Sequence, residues 1–455
     1  MAGLALLGLY SAAVTAAAVL VSRKRAGDEG FFINSRSSSA WLVGFSIVVS
    51  CVGASATIGA AGLAFKVGTP AFWWLGSGAA GLVVLAVLLA GRVRRSRART
   101  MPELVENFFG PNLRRLISVI IVLAWLAILA AQFSALGRVV TALTGLGPWP
   151  AMTWSVLLIT GHTMLSGQAG VINLDRWQCL ALVTGLALMA AWLLRFNFPA
   201  LAEVRIEAVS PLFPPGRLIY FLLILGGSYV VCPMLFGRLL SAESEMAARR
   251  GALGAAAGLA AVSAVVVLAG LLSRGLVSPE TPGDAVLVTV LDNVFPAWLT
   301  LAVQLMLVSA IVSSADSCLI TAGLVLSYDV LKRPEVKIAR YGMIGLALGG
   351  LFLTLTGRGI LDFLLMANDI YVCGVVGPVF VGLLLAGGRS ARRGTAAAGI
   401  IAGGLLGLAS AVTGRAGFSY AGLALSSMLT VISLAPWRPR QSINRYMAET
   451  NIGRT

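Results

Sequence analysis

Residues 46–68 read SIVVSCVGASATIGAAGLAFKVG. The stretch lies in a hydrophobic segment long enough to cross a bilayer, yet from Ser50 to Gly62 almost every side chain is small. A helix facing lipid would carry Leu, Ile and Phe there. Gly53, Gly59 and Gly62 each lower helix stability by roughly 1 kcal/mol relative to Ala, so the backbone can unwind. In a bilayer, unwound backbone survives only if buried in protein or lining a polar cavity, where freed carbonyls can bind a cation and freed amides an anion. The competing reading is a tight helix–helix contact of small residues.

Composition sets the wider frame. Of 455 residues, 58% are hydrophobic and 11% charged, which excludes a soluble globular protein and implies a polytopic membrane protein. Cys51, Cys179, Cys232, Cys318 and Cys373 all sit in apolar segments without a CxxC pair, so neither a disulfide framework nor a zinc site is expected. The single histidine, His162, offers no metal cluster. A net charge of +16 could suggest nucleic acid, but its distribution argues for membrane orientation instead.

Thirteen segments reach the spanning length of roughly 20 residues. They fall near 3–22, 41–65, 72–91, 116–143, 148–166, 177–195, 218–237, 251–272, 295–327, 338–357, 359–386, 394–413 and 417–436. The first lacks a basic region before it and is followed by Arg23, Lys24 and Arg25, so it reads as a retained span with its amino end outside. With that orientation about 26 of the 34 Lys and Arg fall in cytoplasmic loops, Arg238 among them, and an error of one span would scramble the sorting. The carboxyl end is then cytoplasmic. The loops leave no room for a soluble domain. Thr100, Pro102 and Glu103 mark the capped start of a short surface helix.

Polar groups inside spans face a bundle interior or a pathway. Gln132, Asp175, Gln178, Tyr229, Asn368, Asp369 and Tyr371 are of this kind. The densest cluster is Ser309, Ser313, Ser314, Asp316 and Ser317 in the ninth span. Ser313 and Ser317 share a helix face, and hydroxyls beside the Ala310 carbonyl are hard oxygen ligands without full charge. That set suits a monovalent cation that must leave again, whereas a carboxylate cage would favour calcium or magnesium. The bland alternative is serine bonding back to its own helix or packing against a neighbour. The second and seventh spans both carry a glycine-rich break, at Gly53–Gly59 and Gly226–Ser228, five spans apart. An odd spacing inserts two five-span units in opposite senses, and matched breaks point to a midplane binding site.

Several ordered pieces resemble the sodium:solute symporter family, over nearly the whole chain. SerCysValGlyAlaSerAlaThrIleGly at 50–59 resembles the family's first core helix. ThrMetProGluLeuValGluAsnPhePheGly at 100–110 resembles its cytoplasmic Thr-x-Pro-Glu segment, and LeuAspArgTrpGln at 174–178 its Thr-Asp-x-x-Gln motif with Leu174 in place of Thr. TyrValValCysPro at 229–233 with Arg238 resembles its sixth core helix, and SerSerAlaAspSer at 313–317 is the most specific piece. The resemblance implies an all-α, five-plus-five inverted-repeat core with broken first and sixth core helices, like that of the amino-acid/polyamine/organocation transporters. It implies an extra helix at 3–22, repeats at 41–195 and 215–386, two further helices at 392–436 and a cytoplasmic tail at 437–455.

It also implies a transported, coupling sodium ion held by the carbonyls of Val49, Val52 and Ala310 and the hydroxyls of Ser313 and Ser314. Asp175 would stand near the ion's inward exit. Ala310, where some relatives place a second-sodium serine, favours one ion per cycle. Ser55, Thr57, Gln132, Tyr229 and Asp369 are candidate solute-binding residues. Cys51 and Leu225 depart from the proline carrier's Asp and Trp, and Ala56 from the sugar carrier's Gln, so neither solute is indicated. The expected activity is sodium-coupled symport of a small organic solute, an amino acid or monocarboxylate or similar, by alternating access in the inner cell membrane. The partners are that solute and membrane lipid, not nucleic acid, and a monomer suffices. Proton coupling through Asp175 or Asp316, and a symporter-like sensor domain, are the alternatives. An enzyme would need a nucleophile–base pair or metal cluster that the chain does not offer.

Overall fold

The computed structural model describes residues 2–24, 28–357, 359–387 and 390–435. The tail at 437–455 lies outside the described residues, as do Arg25, Arg358 and Arg389. Among the described residues all regular structure is helical. After α1 (Ala2–Lys24) the Ser39 hydroxyl accepts the Leu42 amide at 3.4 Å and caps α2 (Ala40–Cys51). The helix stops where the glycine-rich stretch begins, at Val52 (φ −98°, ψ 70°), and α3 (Ser55–Val67) leaves at 68° to it.

The break is satisfied rather than exposed. The Ala54 amide donates to Gln132 Oε1 at 3.1 Å, and Thr57 Oγ1 donates to the Gly53 carbonyl at 2.9 Å. A Cβ on Gly53 would fall 2.7 Å from Ser314 Oγ and 2.8 Å from the Gln132 amide, so a larger residue here would displace these two side chains.

Then follow α4 (Thr69–Arg95), the short α5 (Met101–Phe109), α6 (Pro111–Thr144), α7 (Pro148–Asn197) and α8 (Pro215–Leu240). Thr100 and Glu103 cap α5 reciprocally. Thr100 Oγ1 accepts the Glu103 amide at 3.2 Å, and Glu103 Oε2 accepts the Arg99 amide at 2.6 Å. α8 is broken as α2–α3 is. Val231 and Cys232 are extended, Pro233 restarts the helix, and Tyr371 donates to the freed Val231 carbonyl at 2.7 Å.

The remaining elements are α9 (Glu245–Leu272), α10 (Gly283–Val294), α11 (Ala297–Val330), α12 (Val336–Thr354), α13 (Ile360–Leu385), α14 (Arg393–Thr413) and α15 (Ala416–Leu434). Between the apolar segments at 251–272 and 295–327 lies one further helix, α10, which packs on α3.

Eleven of these helices are long and apolar enough to cross a bilayer, and the bent pair α2–α3 makes a twelfth span. α7 has 50 residues, about 75 Å of helix against a hydrocarbon core of about 30 Å. It turns at Gly167, whose φ of 58° suits glycine, and is therefore two spans. Dividing α7 at this kink gives thirteen candidate spans among the described residues, near the positions the hydropathy pattern predicts.

α9 packs on α2, α3 and α4, α11 packs on α7 and α6, α6 also takes α12, and α2 and α9 in turn pack on α7. At the α5 end, Arg114 and Asp329 pair at 2.6 Å, and Thr100 donates to Asp329 at 3.0 Å, tying α5 and α6 to the foot of α11.

Contacts between small residues bring α3 and α9 together. A Cβ on Gly270 would lie 2.2 Å from the Ala61 carbonyl, whereas one on Gly254 of the same helix meets nothing within 4 Å. Gly270→Val is therefore expected to lower the melting temperature in detergent by about 5 °C through overpacking, and Gly254→Val to leave it unchanged. Equal melting of the two variants would mean that α3 and α9 do not touch here.

Candidate solute cavity and ion site

A cavity opens where the two broken helices meet α4, α6, α11 and α13. Its polar lining is Ser50, Ser55, Gln132, Ser228, Tyr229, Ser314 and Asn368, set among Trp74, Trp125, Leu225 and other apolar side chains. No lining residue carries a formal charge. Cys51, Cys232 and Cys318 also line it as free thiols.

One edge of the cavity is the α2 break. Ser314 Oγ donates to the Ser50 carbonyl at 2.8 Å and lies 3.4 Å from the Val49 carbonyl, so a hydroxyl of α11 faces carbonyls freed at the end of α2. Val52 sits in the break and Ala310 one turn before Ser313 and Ser314 on α11, both wholly buried. Ser313 turns elsewhere and donates to Asp175 Oδ1 at 2.7 Å.

Asp175 belongs to a second constellation beneath the first. Its Oδ2 accepts from the Ser46 hydroxyl and lies 3.4 Å from Arg238 Nη2. Arg238 also donates to Ser46 Oγ at 3.1 Å, Ser50 Oγ at 3.0 Å and Ser317 Oγ at 2.5 Å. Sorted by charge with the cytoplasmic loops in the sequence, Arg238 is wholly buried in the structure. Its helix restarts at Pro233 and carries it inward, onto a carboxylate. The network joins α2, α7, α8 and α11.

The solute candidates divide. Ser55, Gln132 and Tyr229 line the cavity together. Thr57 is not among its lining residues, its hydroxyl being spent on the Gly53 carbonyl. Asp369 lies apart, accepting from Tyr220 at 2.9 Å and Ser419 at 2.6 Å beside a separate cavity with Arg217 and Asp362. Its neighbour Asn368 lines the cavity between the broken helices instead.

Sequence reasoning passed over Trp74, Trp125 and Asn368 as cavity residues. A tryptophan in an apolar span gives no pattern that separates a cavity wall from a lipid-facing ring. His162 is wholly buried with Nδ1 2.6 Å from Asp316 Oδ2, while Thr163 donates to Asp316 Oδ1 at 2.6 Å.

Residues 31–340 match the model of the sodium:solute symporter family. The chain is 24% identical over 361 residues to the sodium/pantothenate symporter of Haemophilus influenzae, covering 73% of this chain and 72% of that one. It is 23% identical over 321 residues to the human high affinity choline transporter 1, covering 65% and 55%. The substrate-bound, outward-open structure of a Na+-coupled sialic acid symporter superposes with a TM-score of 0.80 at 17% identity, covering 96% of this chain and 98% of that one.

The Asp175–Arg238 pair yields a direct test. Arg238→Met leaves a buried carboxylate unpaired, a change that costs about 3–5 kcal/mol at comparable sites. Adding Asp175→Asn removes the orphaned charge, so the double variant is expected to be more stable than Arg238→Met alone. Measured melting of the three variants checks it, and strictly additive losses would mean that the two residues do not interact.

Proposed function

The chain belongs to the sodium:solute symporter family, and from that premise we propose that it takes up one small organic solute with sodium by alternating access. It is a multi-pass membrane transporter, not an enzyme. In this reading the inverted repeats span 41–195 and 215–386, the amino end is outside, the carboxyl end is cytoplasmic, and the membrane is the inner cell membrane.

The observation that carries the proposal is the contact of Ser314 with the carbonyls of Val49 and Ser50 at the edge of an uncharged cavity. Hydroxyl and carbonyl oxygens from two different helices are hard, neutral ligands suited to a monovalent ion that binds and leaves. In the ion-bound form the carbonyls of Val49, Val52 and Ala310 and the hydroxyls of Ser313 and Ser314 would hold sodium. The ion would bridge α2 and α11, and the solute would bind beside it at Ser55, Gln132 and Tyr229.

Coupling then follows from shared structure. Gln132 both lines the cavity and holds the Ala54 amide of the break, so solute contact and break geometry are linked. The linkage is reciprocal, and solute must raise sodium affinity by the factor by which sodium raises solute affinity. The membrane potential drives the ion inward at about 2.3 kcal/mol per charge per 100 mV. Below the cavity, the Asp175–Arg238 network closes the path toward the side to which the basic loops assign the cytoplasm. Ser313 belongs to both constellations, as a ligand when sodium is bound and as a donor to Asp175 in the present geometry. Asp175 would thus receive the ion on its way in.

Ser314→Ala is expected to raise the sodium concentration for half-maximal uptake about tenfold while leaving maximal uptake at saturating sodium largely intact. Ser313→Ala should change both, since it also loosens Asp175. Tracer uptake into proteoliposomes across sodium concentrations, with a mixed panel of amino acids, monocarboxylates, sugars and vitamins, reads both. Unchanged sodium dependence in the Ser313→Ala/Ser314→Ala double variant would remove this site from consideration.

A further inference from the structure

We propose that the cavity between α8, α13, α14 and α15 is a second small-molecule site, apart from the one between the broken helices. It takes an α-amino acid as a zwitterion, the ammonium on Asp369 and the carboxylate on Arg217. The inference does not rest on the transport reading above.

The first observation is a buried acid that no cation answers. Asp369 stands nine residues after Ile360, the first residue of α13, about 14 Å along the helix, and is 5% exposed. Both of its protein donors, Tyr220 and Ser419, act on Oδ1. Oδ2 has no partner among the described residues, yet it is not sealed in protein, and it opens on a cavity of about 410 Å³. That volume lies within the range of small-molecule sites. A carboxylate at such depth with two hydroxyl donors and no cation is costly, and an ionisable group inside a span points to a site.

The second is an arginine in the same cavity that meets neither acid. Arg217 lines it from the start of α8, its guanidinium lying 5.4 Å and 5.8 Å from the ring centroids of Phe213 and Phe221. Its side-chain nitrogens have no acceptor among the described residues and are not buried from the cavity. Opposite charges that share a cavity without pairing leave a gap for a molecule carrying both. A guanidinium takes a carboxylate through two parallel N–H bonds, and Asp369 Oδ2 is free to accept from an ammonium.

The third is the rest of the lining. Leu365, Met366 and Ala411 are apolar and suit a short aliphatic side chain. Asp362 is exposed at the mouth, where water and salt screen it. A plain cation would be repelled by Arg217, and a plain anion by Asp369. Arg217 and Tyr220 belong to the part of α8 ahead of its break, and α8 and α13 also wall the other cavity through Ser228, Tyr229 and Asn368. Occupied, the site would tie α8 to α13 and α14 and so regulate what the other faces of these helices do, a linkage that must be reciprocal.

The test reads this cavity directly. Ala411→Cys places a thiol in its wall, and purified full-length protein in lipid nanodiscs is treated with N-ethylmaleimide and followed by mass spectrometry. The probes are glycine, alanine, valine and leucine, with glycinamide as the cation alone and propionate as the anion alone. At least one amino acid is expected to slow labelling of the introduced thiol about tenfold at saturation, and glycinamide and propionate far less. Arg217→Gln and Asp369→Asn should each raise the concentration for half-protection about tenfold, and Gln132→Ala should leave it unmoved. Arg217 has no protein acceptor to orphan, so Arg217→Gln decides the matter even where Asp369→Asn does not fold.

Protection by no amino acid overturns the proposal, as does equal protection by glycinamide or propionate. Protection that persists in Arg217→Gln and Asp369→Asn overturns the site. If it is instead lost in Gln132→Ala, the amino acid binds between the broken helices, and the transport reading stands while this site falls.

Discussion

A carbonyl freed in the middle of a membrane has no water to turn to, and the arrangement around both broken helices grows from that constraint. The α2 break exposes the end of a helix at a depth where each unsatisfied polar group costs several kcal/mol. The neighbours resolve it with side chains rather than solvent: Ser314 for the carbonyls of Ser50 and Val49, Gln132 for the Ala54 amide, Thr57 for the Gly53 carbonyl. The α8 break is resolved the same way, by Tyr371 on the Val231 carbonyl. Each partner comes from a different helix, Thr57 excepted, so the breaks are also the places where the helices are tied together. A group that satisfies a carbonyl with a hydroxyl can surrender that duty to a cation, because both offer positive charge to the same lone pair.

The two buried acid–base pairs differ in what they join. Asp175 of α7 meets Arg238 of α8, so that pair crosses from the scaffold of α6, α7, α11 and α12 to a broken helix. His162 and Asp316 lie on α7 and α11, which pack directly on each other. Movement of the broken helices against the scaffold would strain the first pair and spare the second. A buried pair of this kind adds little net stability over apolar packing, yet losing one partner is expensive. The first pair therefore suits a closure that opens only when something else compensates the carboxylate. The second suits a fixed joint.

Much of this was legible in the residues. The apolar segments and the two glycine breaks placed the helices, and the spacing of Thr100, Pro102 and Glu103 located the capped α5. Ser314 was legible because a hydroxyl cluster is conspicuous in an apolar span. The remainder was not, for physical reasons. Helical periodicity gives the face of a side chain only to within a turn, so Asp369 and Asn368, adjacent in sequence, could not be assigned to opposite cavities. Thr57 could not be told from a ligand, since a hydroxyl bonding back to its own helix has no sequence signature. Trp125 is an apolar residue among apolar residues, and only its unpaired N–H, visible in three dimensions, separates it from the rest. Arg238 was sorted by charge with the loops, because the rule that places basic residues in the cytoplasm does not see the carboxylate waiting one layer inside.

That last case exposes a wider point about charge in this fold. The cavity between the broken helices carries no charged side chain, while the layer below it carries Asp175 and Arg238, both wholly buried. Charge has been kept out of the place where a solute would sit and concentrated where a path would close. A cavity without fixed charge puts no electrostatic barrier of its own against an ion entering beside the solute, and it leaves the ion as the strongest field within reach. A closure built from opposite charges has the reverse character: it is neutral when shut, and each half is costly when open unless a counter-charge arrives. A cation moving from the Ser314 carbonyl site toward Asp175 would supply that counter-charge at the moment Arg238 withdraws. Ser50, which lines the cavity and accepts from Arg238, joins the two layers, and Ser313, next to Ser314, donates to Asp175.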